Sequence, residues 1–417
     1  MHSKIFLFIG CAFIFAGCST ASPSPTLVAS PSLGAIADAT RAPATSTIAA
    51  SGAITLTLWT TEDFAPGASA SGTIWRDQFA AFRAANPNIA LDIVLKKTDG
   101  KGGILDSLLT TRAVVPPLLP DVAIINASEV ATAAEKKIFQ PLDGVVSAEF
   151  TLDRFPFAAQ SATSQNQWLA IPFAADVQHL VYNSAAVSPV PKTWDDLGRQ
   201  KTTLLLPLGG DDAFLLQYNS LGASLSNFDP FAAAQVFAFI KRGHDLNFLP
   251  EAALNARSAD DAWDAFAMGQ VAMAQVWASR YTFERDKLPA SLNASFVPVP
   301  TRDGRIATLA TVWAFTIVTN DPVRQRGAAR WIEWMLTRER LAPYLRAAHR
   351  SPATRGLIAP TIEAKEYAAF LRELMERAAP MPNVPPKQAE AWRANIAAVW
   401  RGQTTPENAA RNVEGAR

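Results

Sequence analysis

The chain is poor in the residues that carry most metal, redox and hydrolytic chemistry. Its 417 residues include two cysteines and four histidines, and the sequence contains no H-E-x-x-H, G-x-S-x-G or Walker motif. The cysteines stand at positions 11 and 18, so neither a cysteine metal site nor a disulfide framework can be built in the rest of the chain. These absences argue against a metalloprotease, a serine hydrolase and a nucleotide-binding enzyme.

Surplus charge and long apolar segments are also missing. Lys and Arg number 38 against 37 Asp and Glu, so no basic excess is available to collect nucleic acid. After the first 17 residues, no apolar run approaches the roughly 18 residues that a membrane span needs. With 49% hydrophobic residues, the chain predicts a soluble globular protein that is large enough for two domains.

The first 18 residues have the layout of a lipoprotein signal sequence. Lys4 precedes an apolar run over 5–15, which is too short for a mature transmembrane helix. The small residues Ala16 and Gly17 then precede Cys18, whose thiol we expect to be acylated once residues 1–17 are removed. An ordinary secretory signal with a chance cysteine is the alternative, and both interpretations export the protein.

Residues 18–52 predict a tether between the lipid on Cys18 and the folded part. They hold no aromatic residue and few charges, and prolines stand at 23, 25, 31 and 43 among Ser, Thr and Ala. Such a composition buries too little apolar surface to offset the entropy of ordering it. A flexible coil of this length reaches roughly 30 Å and an extended chain about 100 Å, so the folded part can stand clear of the membrane.

From Ile54 onward, strand and helix patterns alternate. The periodicity predicts strands and helices in turn, at 54–59, 74–82, 89–95, 104–112, 122–125 and 128–137. A β-α-β beginning favours a parallel sheet with right-handed crossovers. The first part of the chain is therefore predicted to be α/β.

Further along, two strand-like pieces flank a polar kink at Asp176, where we expect the chain to change domains. Thr193 is a plausible cap for a helix that begins at Trp194. The Ser258-Ala-Asp-Asp261 stretch predicts the start of another helix, which stops at Gly269. A strand over 271–276 is predicted to end just before Trp277.

The order of several short motifs resembles the extracellular solute-binding proteins (family 1) of sugar ABC importers. These motifs are Trp59 after a first strand, Leu119-Pro-Asp, Pro172-Phe-Ala-Ala-Asp176, Tyr182-Asn183, Pro191-Lys-Thr-Trp194 and Gly269-Gln-Val-Ala-Met273. The C-terminal stretch is the most specific, because Met381-Pro-Asn-Val-Pro385, Trp392 and residues 402–409 resemble the matching part of the family's maltose binders. The similarity runs over nearly the whole chain after the tether.

The resemblance implies a type II periplasmic-binding-protein fold, in which two α/β lobes close around a hinged ligand cleft. Lobe I is expected to comprise 53–173 plus 303–350, and lobe II 174–302 plus 351–417. The helical stretch 323–346 resembles the segment that returns the chain to lobe I. Ligand contacts made by both lobes exist only in the closed form, so a ligand shifts the population towards the shape that a membrane permease recognises.

The resemblance also implies a set of ligand contacts. Asp176 falls where the family places a carboxylate that hydrogen-bonds sugar hydroxyls. Trp277 and Trp392 fall where aromatic rings stack on pyranose faces. Glu62 and Asp63 lie in the loop after the first strand, which the family also uses for hydroxyl contacts.

One loop departs from the maltose pattern. Ile125, Ser128 and Glu129 stand where the maltose binder has a tryptophan, a carboxylate and an arginine. A stacking ring, an acceptor and a donor are therefore missing, which favours a different saccharide, a shorter one or a non-sugar polyol. Ser128 and Glu129 stay in the predicted ligand-binding set.

Eleven tryptophans are more than core packing requires, and flat rings suit the C–H faces of sugars. Trp75, Trp194, Trp331 and Trp334 lie on helical patterns and are predicted to pack in the core. Four others lie near strand ends or the predicted cleft, and for them core packing and ligand stacking are equally open: Trp59, Trp277, Trp313 and Trp392.

Together these observations predict a lipid-anchored, monomeric, non-enzymatic binding protein that captures a carbohydrate outside the cytoplasm for an ABC importer, without a cofactor or metal. A glycerol phosphate, polyamine or metal binder stays open, and a phosphorylated ligand requires cleft cations such as Lys96, Lys97, Arg280 and Arg285. A lipid-anchored esterase or glycosidase is the least favoured alternative. A glycosidase needs two carboxyl groups facing each other across roughly 5 to 9 Å.

Overall fold

The computed structural model describes residues 52–98, 100–200 and 202–416. The predicted signal sequence, Cys18 and all of the predicted tether except Gly52 lie outside the described residues. Across the described ranges, no helix combines the length and the apolar character that a membrane crossing requires.

The strands of the described residues are β1 (Ile54–Thr60), β2 (Ile89–Leu95), β3 (Val122–Asn126), β4 (Thr163–Ser164), β5 (Gln167–Trp168), β6 (Ile171–Asn183), β7 (Leu204–Leu205), β8 (Met273–Trp277), β9 (Ala294–Val297), β10 (Thr308–Ile317), β11 (Ser351–Pro352) and β12 (Ala378–Pro380).

The α-helices are α1 (Ala70–Ala85), α2 (Ile104–Val114), α3 (Val130–Glu135), α4 (Pro156–Ala162), α5 (Trp194–Gln200), α6 (Leu215–Ser220), α7 (Pro230–Asp245), α8 (Ala252–Asn255), α9 (Ala259–Ala267), α10 (Ala278–Glu284), α11 (Pro322–Leu336), α12 (Arg338–Ala347), α13 (Ile358–Thr361), α14 (Lys365–Glu376), α15 (Pro386–Trp400) and α16 (Pro406–Glu414). Single 3₁₀ turns lie at Glu62–Phe64, Pro116–Leu118, Ala127–Glu129, Ala148–Thr151, Arg285–Lys287, Ala290–Leu292 and Arg355–Leu357.

Most of the strands join one mixed sheet in the order β2-β1-β3-β10-β6-β8-β7. Outside this order, β9 and β11 pair with β6, and β12 pairs with β10. β1 runs parallel to β2 and to β3, whereas β10 runs antiparallel to β3 and β6. The parallel start confirms the predicted β-α-β unit, and β2 has the predicted bounds.

β6 is one continuous strand that pairs with two groups of strands, a first group of β10 and β11 and a second group of β8 and β9. Residues 171–177 pair with β10 and β11, and residues 178–183 pair with β8 and β9. The prediction of two pieces with a kink at Asp176 is therefore wrong. Asp176 lies opposite Thr311 of β10, and its carboxylate finds hydrogen-bond donors within the fold, so the strand continues through it.

Local signals at helix starts behave as predicted. The Asp196 amide donates to the Thr193 hydroxyl at 3.1 Å, and Ser258 and Asp261 form a reciprocal capping box at the start of α9. Gly269 follows α9 with φ of 72°, a conformation that favours glycine. The predicted helix over 128–137 is shorter, because Asn126 accepts the Ser128 amide at 3.0 Å and makes a tight turn first.

Aromatic residues fill the interior on the side where α11 and α12 pack against β1 and α1. Trp75 and Trp331 are fully buried there, with ring centroids 6.1 Å apart, and Trp334 packs at the margin. Trp194 is buried in a second cluster, stacked on Phe239 at 4.5 Å. The four tryptophans on helical patterns are thus packing residues, as predicted. The residue boundaries of the two lobes stay a prediction.

Candidate functional site

The carboxyl ends of β1 and β3 meet at one edge of the sheet. Trp59 and Thr60 end β1, and Asn126 ends β3 directly opposite Trp313 of β10. Because parallel strands end at the same edge, the loops that follow them come together. This edge carries six of the residues predicted to bind ligand: Trp59, Glu62, Asp63, Ser128, Glu129 and Trp313.

The loop after β1 is held by contacts on both of its sides. The Thr60 hydroxyl donates to the Phe64 carbonyl at 2.9 Å, and the Tyr344 hydroxyl of α12 donates to the Asp63 carbonyl at 3.1 Å. Phe64 is buried against Trp313, with 5.4 Å between the ring centroids. This packing leaves the Glu62 and Asp63 side chains exposed, so their carboxylates are available to a solute.

Arg350 joins three of these elements, and sequence reasoning missed it. Its guanidinium lies 4.5 Å from the centroid of the Trp313 ring, a cation–π contact. One terminal nitrogen donates to the Asp176 carboxylate at 2.9 Å, and the other lies 3.9 Å from an Asp63 carboxylate oxygen. Arg350 directly precedes β11, which pairs with β6 beside Asp176, and no local motif marks this position.

Asp176 is buried and fully engaged. Its carboxylate accepts the amides of Val177 and Ser279, each at 3.0 Å, and the Ser279 hydroxyl as well. Burial raises the pKa of Asp176 above its usual value, whereas the Arg350 guanidinium and the Ser279 hydrogen bonds oppose that rise. A sugar hydroxyl must therefore share or displace Arg350 or Ser279 to reach this carboxylate.

Two lysines border the loop after β1. Lys96 lies with its ammonium 4.3 Å from the centroid of the Trp59 ring, and Trp59 itself is buried. Lys96 and Lys97 line a cavity of about 620 Å³ together with Glu62 and Asp63. Of the four cations considered for a phosphorylated ligand, these two lie beside predicted contacts.

The other two cations, Arg280 and Arg285, lie in α10 and directly after it. Arg280 pairs with Asp264 at 3.0 Å and with Glu284 at 3.2 Å, and Arg285 lies 3.4 Å from Asp286. Both guanidinium groups therefore already face carboxylates.

Trp277 lies beside the crossing strand. It is the last residue of β8, one position further than predicted, and it is half-buried opposite Gln178 of β6. α10 begins immediately after it, and Ser279 of that helix reaches Asp176. Trp277 thus lies near Asp176, at the end of β8 and two residues before the Ser279 that contacts this carboxylate.

The predicted stacking role of Trp392 is corrected by the structure. Trp392 is 0% exposed, and its ring stacks on Phe214 at 3.9 Å and on Phe237 at 4.8 Å between centroids. Ile396 and Val399 share the buried side of α15, which is the spacing of a core-facing helix. No part of the Trp392 ring is accessible to a sugar in this structure.

A second polar cavity borders the residue after Trp392. It has a volume of about 820 Å³, and its lining includes Asp211, Asp212, Arg257 and Arg393. Arg393 forms an ion pair with Asp211, and burial raises the pKa of Asp212. The adjacent carboxylates at 211 and 212 were the available sequence signal, but such pairs more often cap or solvate a turn.

His179 is a buried packing residue. It is fully buried in β6, its Nε2 lies 2.9 Å from the Tyr367 hydroxyl, and the rings of Tyr281 and Phe370 pack edge-on against it. Burial lowers the pKa of His179 to about 4. The imidazole is therefore neutral at neutral pH and holds three elements together.

Comparison with known families identifies a match over most of the chain. A family model described as bacterial extracellular solute-binding protein matches residues 77–371. A maltotriose-binding protein of Pyrococcus abyssi is 30% identical over 78 residues, which are 19% of this chain and 17% of that protein. The match thus spans less than a fifth of that relative's length.

Solved structures share the fold at low identity. The sugar-binding protein MalE of the phytopathogen Xanthomonas citri has a TM-score of 0.73 at 18% identity, with 87% of this chain and 96% of that chain covered. A cyclic α-maltosyl-1,6-maltose binding protein of Arthrobacter globiformis has a TM-score of 0.71 at 16% identity, with 88% and 98% covered. Maltose-bound MalE3 of T. maritima has a TM-score of 0.69 at 18% identity, with 87% and 98% covered. The predicted periplasmic-binding-protein fold of the α/β class is confirmed.

Proposed function

Because the chain belongs to the bacterial extracellular solute-binding proteins, we propose that it captures a carbohydrate outside the cytoplasm and delivers it unchanged to an ABC-type importer. The observation that carries this proposal is the meeting of Trp313, Asp63 and Arg350 with Asp176 at the edge of the sheet. Rings suit the C–H faces of a sugar, and carboxylate and guanidinium groups suit its hydroxyls.

The ligands of similar structures support a saccharide. The solved structures compared above are described as sugar-binding, as binding a cyclic maltosyl-maltose and as bound to maltose. Ile125 within β3, and Ser128 and Glu129 in the turn after it, replace the residues of the maltose pattern. The proposal is therefore a carbohydrate in general, not maltose in particular.

The proposed mechanism is closure of the two predicted lobes about β6 and β10. Trp313 of β10, together with Asp63 after β1 and Lys96 after β2, approaches the ligand from one side, and Trp277 at the end of β8 approaches it from the other. The ligand can contact both lobes only when the lobes come together, so ligand binding favours the closed form. The importer then distinguishes closed, loaded molecules from open ones.

The proposed location follows from the N-terminal sequence. The apolar run before Cys18 and the proline-containing stretch after it support a protein that is held to the outer side of a cell membrane by lipid, and we propose that it acts there as a monomer. The family description as extracellular supports export. No step of the proposal requires a cofactor, a metal or a catalytic residue.

A phosphorylated polyol such as glycerol phosphate is the second candidate. Lys96 and Lys97 line the same cavity as Asp63, and Arg350 lies close to it. These cations match a phosphate group. Glu62 and Asp63 also line the cavity. Their carboxylates accept hydrogen bonds from sugar hydroxyls but repel a phosphate group, so the sugar remains the first candidate.

A ligand screen tests the proposal. The chain from residue 18 with Cys18→Ser is melted with mono- and oligosaccharides, polyols, glycerol phosphate and polyamines, since a ligand that binds only the folded state stabilises it by about 2.7 kcal/mol at roughly 100 times Kd. A sugar that raises the melting temperature and is recovered intact supports the proposal. Stabilisation by phosphates or amines alone contradicts the carbohydrate, and cleavage of the sugar contradicts a binding protein.

A further inference from the structure

An exposed apolar edge lies at the opposite end of β3 from the candidate site. Val114, Val115 and Leu118 are 72%, 41% and 66% exposed, at the end of α2 and in the 3₁₀ turn that follows. Between them stand Pro116 and Pro117, which are also exposed. Two consecutive prolines restrict the backbone, so this five-residue apolar run is presented as a stiff projection.

Cations flank this apolar run. Arg112, in the last turn of α2, donates to the carbonyls of Lys136 and Lys137, the latter at 2.8 Å. The contact joins the end of α2 to the end of α3 and sets three exposed cations beside the projection. Glu135 is the acidic residue next to them, so the local balance is positive.

The first strand of the fold begins at the same edge. Arg324 donates to the Thr55 carbonyl at 2.7 Å, and the Thr57 amide donates to Asp121 at 2.8 Å. Arg324 and Asp121 line a cavity of about 580 Å³ together with Pro116, Pro117 and Lys137. Asp121 is itself neutralised by Arg324, whose Nε lies 2.6 Å from its carboxylate. The chain that leads to Cys18 therefore joins the fold beside the projection.

We propose that this basal edge, residues 112–118 with Lys136 and Lys137, rests in the interface of an anionic lipid membrane. Apolar side chains at this position insert between headgroups, and the cations pair with lipid phosphates. The inference rests on the lipid anchor of the proposed function, because a tethered fold meets the membrane at a high effective concentration, and the contact of this edge then sets the orientation of the fold. The candidate site, at the other end of β3, then faces the solution from which a solute arrives.

The lack of other cysteines permits a site-specific test. The chain from residue 18 with Cys18→Ser contains no thiol, so Leu118→Cys can carry a single environment-sensitive fluorophore. Met268→Cys is the matched control, because Met268 is 67% exposed but lies next to α9. With vesicles of phosphatidylglycerol and phosphatidylcholine, we expect the label at 118 to shift to the blue and brighten, and the label at 268 to stay unchanged. Vesicles of phosphatidylcholine alone should give a much weaker response.

Substitutions separate the membrane from other occupants. Val114→Asp, and separately Lys136→Glu with Lys137→Glu, should lower the vesicle partition coefficient at least about tenfold, whereas Met268→Asp should not. All of these variants should keep the melting temperature and the solute affinity of the parent, so a failure here leaves the sugar proposal standing.

Three results would overturn the inference. One is equal responses, or no response, at positions 118 and 268. Another is self-association that Val114→Asp abolishes, which would assign the edge to a second copy of the chain. The third is binding only to vesicles that contain an importer, which would assign the edge to that protein.

Discussion

The surroundings of Trp313 and of Trp392 differ in kind. Trp313 has an apolar neighbour, Phe64, at 5.4 Å and a guanidinium, Arg350, at 4.5 Å. Trp392 has Phe214 at 3.9 Å, Phe237 at 4.8 Å and Tyr218 at 5.7 Å. A ring that serves a solute needs a polar margin to hold the hydroxyls, and Trp313 has one. A ring among other rings instead stabilises the lobe that carries it.

Of the substitutions that test this comparison, replacement of Trp392 should have the largest effect on stability. Trp392→Ala removes a fully buried ring, and we expect the free energy of unfolding to fall by about 3 to 5 kcal/mol. Urea unfolding measures the loss, and Trp392→Phe should recover part of it. Near-normal stability combined with lost solute affinity would return Trp392 to the binding site.

The buried neighbourhood of His179 should also respond to acid. Its pKa is about 4 in the fold and ordinarily near 6.5 when unfolded, so between these values the unfolded chain takes up a proton that the native state refuses. The free energy of unfolding should therefore fall by about 3 kcal/mol as the pH drops from 6.5 to 4. His179→Gln should flatten this part of the curve. Equal slopes for both proteins would mean that His179 is not buried as a neutral group.

Substitution of Arg350 tests the polar contacts beside Trp313, because its guanidinium lies against that ring and pairs with Asp176. Arg350→Gln leaves the buried Asp176 carboxylate without its cation, and we expect a loss of about 2 to 4 kcal/mol in the free energy of unfolding. Arg350→Lys should restore part of the stability, because the charge returns without the planar fork. Arg346→Gln, four residues earlier on α12, is the control. A stable Arg350→Gln protein would show that the Val177 amide and the amide and hydroxyl of Ser279 are enough to stabilise the Asp176 carboxylate.

Trp313 should show the smallest but most specific effect. Trp313→Ala is expected to weaken binding of the solute found in the screen by about 1 to 3 kcal/mol, the scale of one ring contact. Titration calorimetry measures it, and Trp313→Phe should retain part of the affinity. Trp277→Ala, tested in parallel, reports whether a ring from the second group of strands contributes. Unchanged affinity in both alanine variants would remove the stacking model.

Local patterns predicted the parts of the fold that are decided locally. Alternation placed β1 and β2, and the side chains of Thr193 and Ser258 marked helix starts because a cap involves residues only a few positions apart. The kink at Asp176 was wrong for the opposite reason. The cation that stabilises its carboxylate lies 174 positions further along the chain, and no local pattern carries that information.

The candidate site was predictable to a similar extent. Trp59 lies at the end of a predicted strand and Asp63 in the loop after it, whereas the strand that holds Trp313 and its pairing with β3 were not predicted. The structure brings all three residues to one edge of the sheet. Trp392 was misjudged because its place in the family resemblance outweighed its helical spacing with Ile396 and Val399, which is the stronger physical signal. Arg350 could be recognised only once the crossing strand and its partners were in place.

The change of partners along β6 has a mechanical consequence. The strand leaves β10 after Val177 and joins β8 at Gln178, and Asp176 stands directly before that point. Residues at a pivot move least when two arms swing, whereas residues at the rims sweep the largest arcs. In the proposed closure, a solute bound near Asp176 therefore lies at the pivot, and a small adjustment there produces larger displacements at the outer surfaces that the proposed importer would contact.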